Sequence, residues 1–145
     1  MSKIDEIRAR RKARREDLEA QRDAQLVTDY EAIEGVEDEL GPGNVSVVEL
    51  NAWAPGLPVA YAVKLPSKAV YKRYQARIRP TKRRGEDVPG DAVAAAEEVG
   101  SVCLVYPPEG ELRDKLLEER PTALTQAGTE AISMLLGATE AEGKG

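Results

Sequence analysis

The stretch VSVVELNAWAPGLPVAYAVKL, residues 45–65, decides the fold class. From Val59 to Leu65, larger apolar residues alternate with smaller or charged ones, which is the period-two pattern of a half-buried strand. Residues 45–50 form a second strand-like run, and the Pro-Gly pair at 55–56 suits the centre of a type II turn. The stretch predicts an antiparallel β-hairpin with a long loop, on which Trp53 covers the edge of the core.

The chain before the hairpin predicts a long helix of low hydrophobicity. From Ser2 to about Ile33 it contains neither glycine nor proline, and Gly35 and the GPGN at 41–44 mark the exit from the helix. The middle of this helix, RARRKARR, is too polar to face a core, and the sequence turns acidic over residues 30–40. Residues 1–35 are therefore predicted to be a basic-to-acidic helical arm. The candidate partner-binding residues on it are Arg8, Arg10, Arg11, Lys12, Arg14 and Arg15.

A second basic region follows the hairpin. Ser67 is a suitable N-cap for a helix over residues 68–77, and TKRRGEDVPGD at 81–91 is predicted to be a loop. Residues 64–84 contain nine Lys or Arg and no acidic residue. The candidate partner-binding residues here are Lys68, Lys72, Arg73, Arg77, Arg79, Lys82, Arg83 and Arg84.

The next segment holds the only cysteine, Cys103. An apolar stripe at helical spacing runs from Ala92 through Val99 and Cys103 to Tyr106, which predicts a helix with the thiol in the core rather than a reactive cysteine. Alternatively SVCLVY, residues 101–106, forms a strand, which would still bury Cys103 or its neighbours.

Two further helices and a tail complete the prediction. The first is expected over residues 109–120, between two proline-containing turns, and the second begins after Thr122. The last helix has an apolar face, and residues 138–145 are predicted to be a disordered tail. The sequence thus predicts an α+β fold: a long N-terminal helix, one antiparallel β-hairpin and a mostly helical C-terminal half, with residues 36–137 as a single core domain.

Composition excludes most common hydrolytic mechanisms, and leaves only a pair of carboxylates as formally possible catalytic groups. The chain has no histidine and one cysteine, which excludes Ser-His and Cys-His catalysis and the usual zinc sites. Phosphate-binding glycine motifs are also missing. We therefore expect no catalytic residue, no metal and no cofactor. No apolar run is long enough for a membrane span and no secretion signal precedes the helix, so a cytoplasmic location without membrane attachment is expected.

The C-terminal third carries a family resemblance. VCLVYP at 102–107, an acidic helix ending in Arg-Pro at 111–121 and a helix closing on Leu-Gly at 127–137, together with AVKLPSKAVYKRY at 62–74, resemble small tail assembly chaperones of long-tailed bacteriophages. The resemblance implies a non-enzymatic protein of the host cytoplasm that coats the tape-measure protein, or another tail protein, before tail-tube subunits polymerise. It also implies that a longer form arises by ribosomal frameshifting.

Other functions fit the same residues. A nucleic-acid-binding protein would use the basic stretches 8–15 and 64–84, with tyrosines stacking on bases, although the net charge of −5 opposes a polyanion. A third hypothesis is that the protein is a permanent structural component of the virion tail. Self-association is also expected if the basic residues of one copy meet the acidic residues 31–39 of another.

Overall fold

The chain begins with a long helix, α1 (Lys3–Leu40), in the computed structural model, which describes residues 2–144 and the side chains of residues 2–137. Ser2 caps it, since its hydroxyl accepts the Asp5 N–H at 3.2 Å. The helix ends at Gly41, whose φ of +94° leaves the helical region. Of the two exit signals in the sequence, the helix passes Gly35 and ends at the second, Gly41. The buried side chain of Ile33 holds this part of the helix against the core and offsets the weak helix propensity of one glycine.

A three-stranded antiparallel sheet follows, with the second strand of the predicted hairpin in the middle. After a short 3-10 helix (Pro42–Asn44), β1 (Val45–Glu49) pairs with β2 (Ala60–Lys64), and β5 (Leu104–Tyr106) pairs with the other side of β2. The predicted hairpin is confirmed.

The loop of this hairpin contains the predicted turn. The Leu57 N–H donates to the Ala54 carbonyl at 3.2 Å, and Gly56 has the positive φ, +89°, that a type II turn requires. Trp53 is half-buried on the same loop, where its Nε1–H donates to the Leu57 carbonyl at 2.7 Å. The indole therefore holds the loop folded back on itself.

The remaining elements are α2 (Lys68–Ile78), β3 (Thr81–Arg83), β4 (Glu86–Val88), α3 (Ala92–Cys103), α4 (Glu111–Glu119) and α5 (Ala123–Lys144). The architecture is α+β, as the sequence predicts. The disordered tail predicted at 138–145 lies outside the residues whose side chains are described.

The loop prediction at 81–91 is wrong for most of its length, because β3 and β4 pair as a second antiparallel hairpin. Arg84 and Gly85 both have positive φ, +52° and +80°, which is the geometry of a type I′ hairpin turn. Every residue of this hairpin is exposed, so cross-strand pairing rather than core packing defines it.

The segment that contains Cys103 is partly helix and partly strand. The helical stripe is correct up to Cys103, where α3 ends, and the next three residues form β5. Tyr106 therefore does not lie on the helical stripe. It lies on the α1 side of the sheet with Ile33, whereas Cys103 is fully buried on the other side.

The sheet separates two apolar clusters. On one face, Ile33 of α1 packs with Ala60 and Ala62 of β2. On the other face, Tyr61 and Val63 of β2 meet the core formed by α2 to α5.

The second cluster contains a close helix crossing. A Cβ on Gly128 of α5 would lie 1.8 Å from the Ala96 carbonyl oxygen of α3, and one on Gly100 would lie 1.9 Å from that of Leu124. Only glycine permits this approach of α3 and α5.

Candidate functional site

The first half of α1 leaves the body of the protein. We call residues 3–21 the free half of α1; every side chain in it is exposed except Ile7, which is half-buried. At 1.5 Å per residue it is about 28 Å long. The anchored half, residues 22–40, begins where Arg22 donates to the Leu50 carbonyl at 3.1 Å.

The free half carries all the cations predicted in the first basic stretch, namely Arg8, Arg10, Arg11, Lys12, Arg14 and Arg15. Within the described part of the chain, only Lys12 forms an ion pair, with Glu16 at 3.9 Å. Both side chains of this pair are exposed, so it contributes little. The cations are therefore available to a partner.

The second basic stretch is partly neutralised by its own chain. Arg73 and Arg77 of α2 both bind the Glu98 carboxylate of α3, the former at 3.7 Å. Both side chains are largely exposed, so these pairs add little to stability. They do give each guanidinium group an anionic partner on its own chain.

The β3–β4 hairpin balances its charges in the same way. Lys82 lies opposite Asp87, and Arg83 lies opposite Glu86. Opposite charges across an antiparallel pair stabilise the ribbon. Four further exposed cations of the second stretch have neither an ion pair nor an acid opposite them in the described structure, namely Lys68, Lys72, Arg79 and Arg84.

The structure does not bring the two basic stretches together. α1 contacts the sheet, whereas α2 packs on α3 in the cluster on the opposite face. The predicted candidates therefore form two separate surfaces, of which the free half of α1 has the denser uncompensated charge.

Sequence reasoning missed the polar anchor of α1, Asp29. Its side chain is fully buried, and Oδ2 accepts the N–H groups of Val59 and Ala60 at 2.6 and 3.1 Å. Oδ1 accepts from the Gln25 amide at 2.9 Å and from the Tyr106 hydroxyl. A carboxylate with four donors is fully satisfied. Asp29 therefore fastens α1 to the start of β2.

Two buried tyrosines differ in their partners. Burial and the hydrogen bond to Asp29 raise the pKa of Tyr106 far above its usual value. Burial raises the pKa of Tyr61 to about 12, with a smaller contribution from the negative charge of Glu130. The Tyr61 hydroxyl has no hydrogen-bond partner among the described residues. Such an unpaired buried group is uncommon.

Tyr61 lines a cavity of about 520 Å³ between β1 and α5, which we call the β1–α5 pocket. Glu130 of α5 also lines it, and its Oε1 accepts the Ser46 hydroxyl at 2.7 Å. Nothing in the sequence pattern indicates this pocket, because β1 and α5 are far apart along the chain.

Cys103 lies in the core, as predicted. Burial raises the pKa of its thiol, and the positive charge of Lys64 opposes this only in part. A buried, protonated thiol is a poor nucleophile. It acts here as a small apolar side chain.

Two findings concern metal ions and membranes. No cluster of three histidine, cysteine, aspartate or glutamate side chains suited to a metal ion occurs among the described residues. Within residues 2–144, no helix combines the length and the apolar character needed to cross a bilayer.

Comparison with known proteins gives no match to this chain: no family model, no curated protein and no solved structure.

Proposed function

We propose that the protein is a non-enzymatic assembly chaperone, of the class its C-terminal third resembles, and that it binds a long helical protein through the free half of α1. The observation that carries this proposal is the placement of the six cations on a helix that extends beyond the core. A polar helix of this kind gains little stability from its own side chains. A partner lying along it would supply the missing contacts.

The charge pattern of the helix supports a protein partner. Acidic residues 16, 17 and 19 follow the cations directly on the same exposed helix. A mixed surface matches the alternating charges of a long helical protein, whereas the acids repel a polyanion. The net charge of −5 acts in the same direction. A tape-measure protein, as the resemblance implies, is a partner of this type.

A nucleic-acid-binding function is the second candidate. It is favoured by five of the six cations having no ion pair among the described residues. Against it, the second basic stretch lies on a separate surface and four of its nine cations have acidic neighbours on this chain. A phosphate backbone would therefore meet one short basic segment.

The deciding experiment compares two charge-neutralised variants of the nuclease-treated full chain. The first replaces the six cations of the free half of α1 with glutamine. The control replaces the four cations Lys68, Lys72, Arg79 and Arg84, which are also exposed and lack ion pairs in the described structure. Binding to the purified tape-measure protein of the same phage is measured by calorimetry, and binding to labelled DNA and RNA by anisotropy across salt concentrations.

The proposal predicts that the first variant binds the tape-measure protein about ten- to a hundredfold more weakly, since each exposed ion pair contributes little alone. The control should bind like the wild type. Absence of tape-measure binding by the wild type, together with nanomolar nucleic-acid binding that falls steeply with salt, would replace the proposal with the second candidate.

A further inference from the structure

The two edges of the three-stranded sheet differ in whether a side chain bonds to their backbone carbonyl groups. At the β5 edge, Arg113 of α4 donates to the Leu104 carbonyl at 2.9 Å and to the Pro107 carbonyl at 2.8 Å. This side chain occupies carbonyl groups that would otherwise pair with another strand. The opposite edge is β1.

The outer edge of β1 has backbone N–H and C=O groups that pair with no other strand of the described structure. The Leu65 N–H donates to the Asn44 carbonyl at 2.9 Å, and the Leu50 N–H donates to the Val59 carbonyl at 2.6 Å. Residues 44 and 50 therefore direct their backbone groups toward β2. Because bonded and non-bonded pairs alternate, the N–H and C=O groups of residues 45, 47 and 49 face away from β2. Within the described structure these groups have no hydrogen-bond partner.

The β1–α5 pocket lies beside this open edge and is rich in acceptors. Glu130 lines it, and Oε2 of Glu130 accepts no hydrogen bond from the described residues. Glu49 also lines it, but its carboxylate accepts the Tyr30 hydroxyl of α1 at 2.7 Å. Arg120, the only cation lining the pocket among the described residues, donates to the carbonyls of Ala52 and Glu119. The Tyr61 hydroxyl, 1% exposed, is unpaired. Neutral donors, among them Asn51 and Gln126, also line the pocket, but Glu130 has no ion pair in the described structure. A positively charged donor therefore fits the free oxygen of Glu130 best.

We propose that an extended peptide segment carrying a lysine or arginine adds to the β1 edge as a fourth strand and places that basic side chain in the β1–α5 pocket. Strand addition satisfies the open groups of residues 45, 47 and 49. A residue opposite Val48 in the added strand has its side chain on the same face as Val48, which lines the pocket. The ammonium or guanidinium group then donates to Glu130 and to the Tyr61 hydroxyl.

This site is independent of the proposed function. It uses β1 and α5, whereas the free half of α1 makes no contribution to it. It also takes an extended segment rather than a helix. Failure of one proposal therefore leaves the other intact.

The test uses a designed probe: an eight-residue peptide of alternating threonine and valine with one central lysine, acetylated and amidated at its ends. Amide shifts of the ¹⁵N-labelled full chain are followed by NMR as the peptide is added to millimolar concentration. We expect shifts at residues 45, 47 and 49, and weaker or no shifts with a peptide that has glutamate in place of lysine.

Two pocket variants sharpen the test. Tyr61→Phe removes a hydroxyl that bonds to nothing in the free protein, so it should leave the melting temperature unchanged or raised while weakening the lysine peptide severalfold. Glu130→Gln should weaken it about tenfold. Val47→Pro removes one outward N–H and should abolish binding.

Three outcomes would overturn the proposal. The first is the absence of shifts along β1 at millimolar lysine peptide. The second is equal binding of the lysine and glutamate peptides, or of the wild type and Tyr61→Phe. The third is concentration-dependent broadening of the same amides without peptide, which would assign the edge to a second copy of this chain.

Discussion

α1 and α5 cover opposite faces of one sheet and are held there by different interactions, hydrogen bonds to a buried carboxylate for α1 and close packing for α5. α1 is fastened by the buried carboxylate of Asp29, which holds the N–H groups of Val59 and Ala60. α5 is fastened by close packing, with alanines and Gly128 against α3. A polar anchor fixes a helix at one point and needs few apolar residues, so half of α1 stays exposed. Close packing uses the whole length of contact.

The largest expected effect is the loss of the polar anchor. Asp29→Ala leaves two buried N–H groups and the Tyr106 hydroxyl without their acceptor, and should lower the free energy of unfolding by about 3–5 kcal/mol. Urea denaturation monitored by circular dichroism measures it. Asp23→Ala, on the exposed surface of the same helix, is the control and should change stability by less than about 0.5 kcal/mol.

A loss similar to that of Asp23→Ala would mean that α1 is held mainly by Ile33 and its apolar neighbours. The contrast between the two sheet faces would then disappear.

The next effect concerns the packed face. Gly128→Ala places a Cβ 1.8 Å from the Ala96 carbonyl oxygen, so α3 and α5 must move apart, at a cost of about 1–3 kcal/mol. Gly137→Ala on the same helix has no atom within 4 Å of the new Cβ and should stabilise by up to about 1 kcal/mol. Thermal unfolding of both variants measures the difference. Equal changes of the same sign would contradict the close crossing.

Much of the fold follows from local sequence patterns. The alternation at residues 59–65 and the Pro-Gly turn are local signals, and they specify the first hairpin. The second hairpin was missed because its turn begins with Arg84, whereas asparagine, aspartate or glycine is the usual residue at that left-handed position. α1 extends past Gly35 because tertiary contacts outweigh one residue's propensity.

The candidate sites follow from sequence only in part. Six cations in eight residues specify the exposed segment of α1. Local sequence could not reveal that Glu98 neutralises Arg73 and Arg77, since the partners are more than 20 residues apart. Asp29 left one readable signal: it lies three residues after Leu26 and four before Ile33, on the face that packs on the sheet. The β1–α5 pocket depends on tertiary structure alone.

The smallest effect distinguishes the faces through their tyrosines at alkaline pH. Tyr61 has an ordinary pKa of 10.0 and a folded pKa of about 12, so its contribution to stability is complete below pH 10 and is lost as the pH rises toward 12. The pKa of Tyr106 is also raised, by burial and by the hydrogen bond to Asp29. Above pH 10 each tyrosine should lower the free energy of unfolding by up to about 1.4 kcal/mol per pH unit.

Tyr61→Phe should therefore match the wild type at pH 7 and exceed it in stability at pH 11. Tyr106→Phe should lose stability already at pH 7, because Asp29 then lacks one donor. Urea denaturation at both pH values tests this, and identical behaviour of the two variants would mean that the carboxylate gives the α1 face no distinct role.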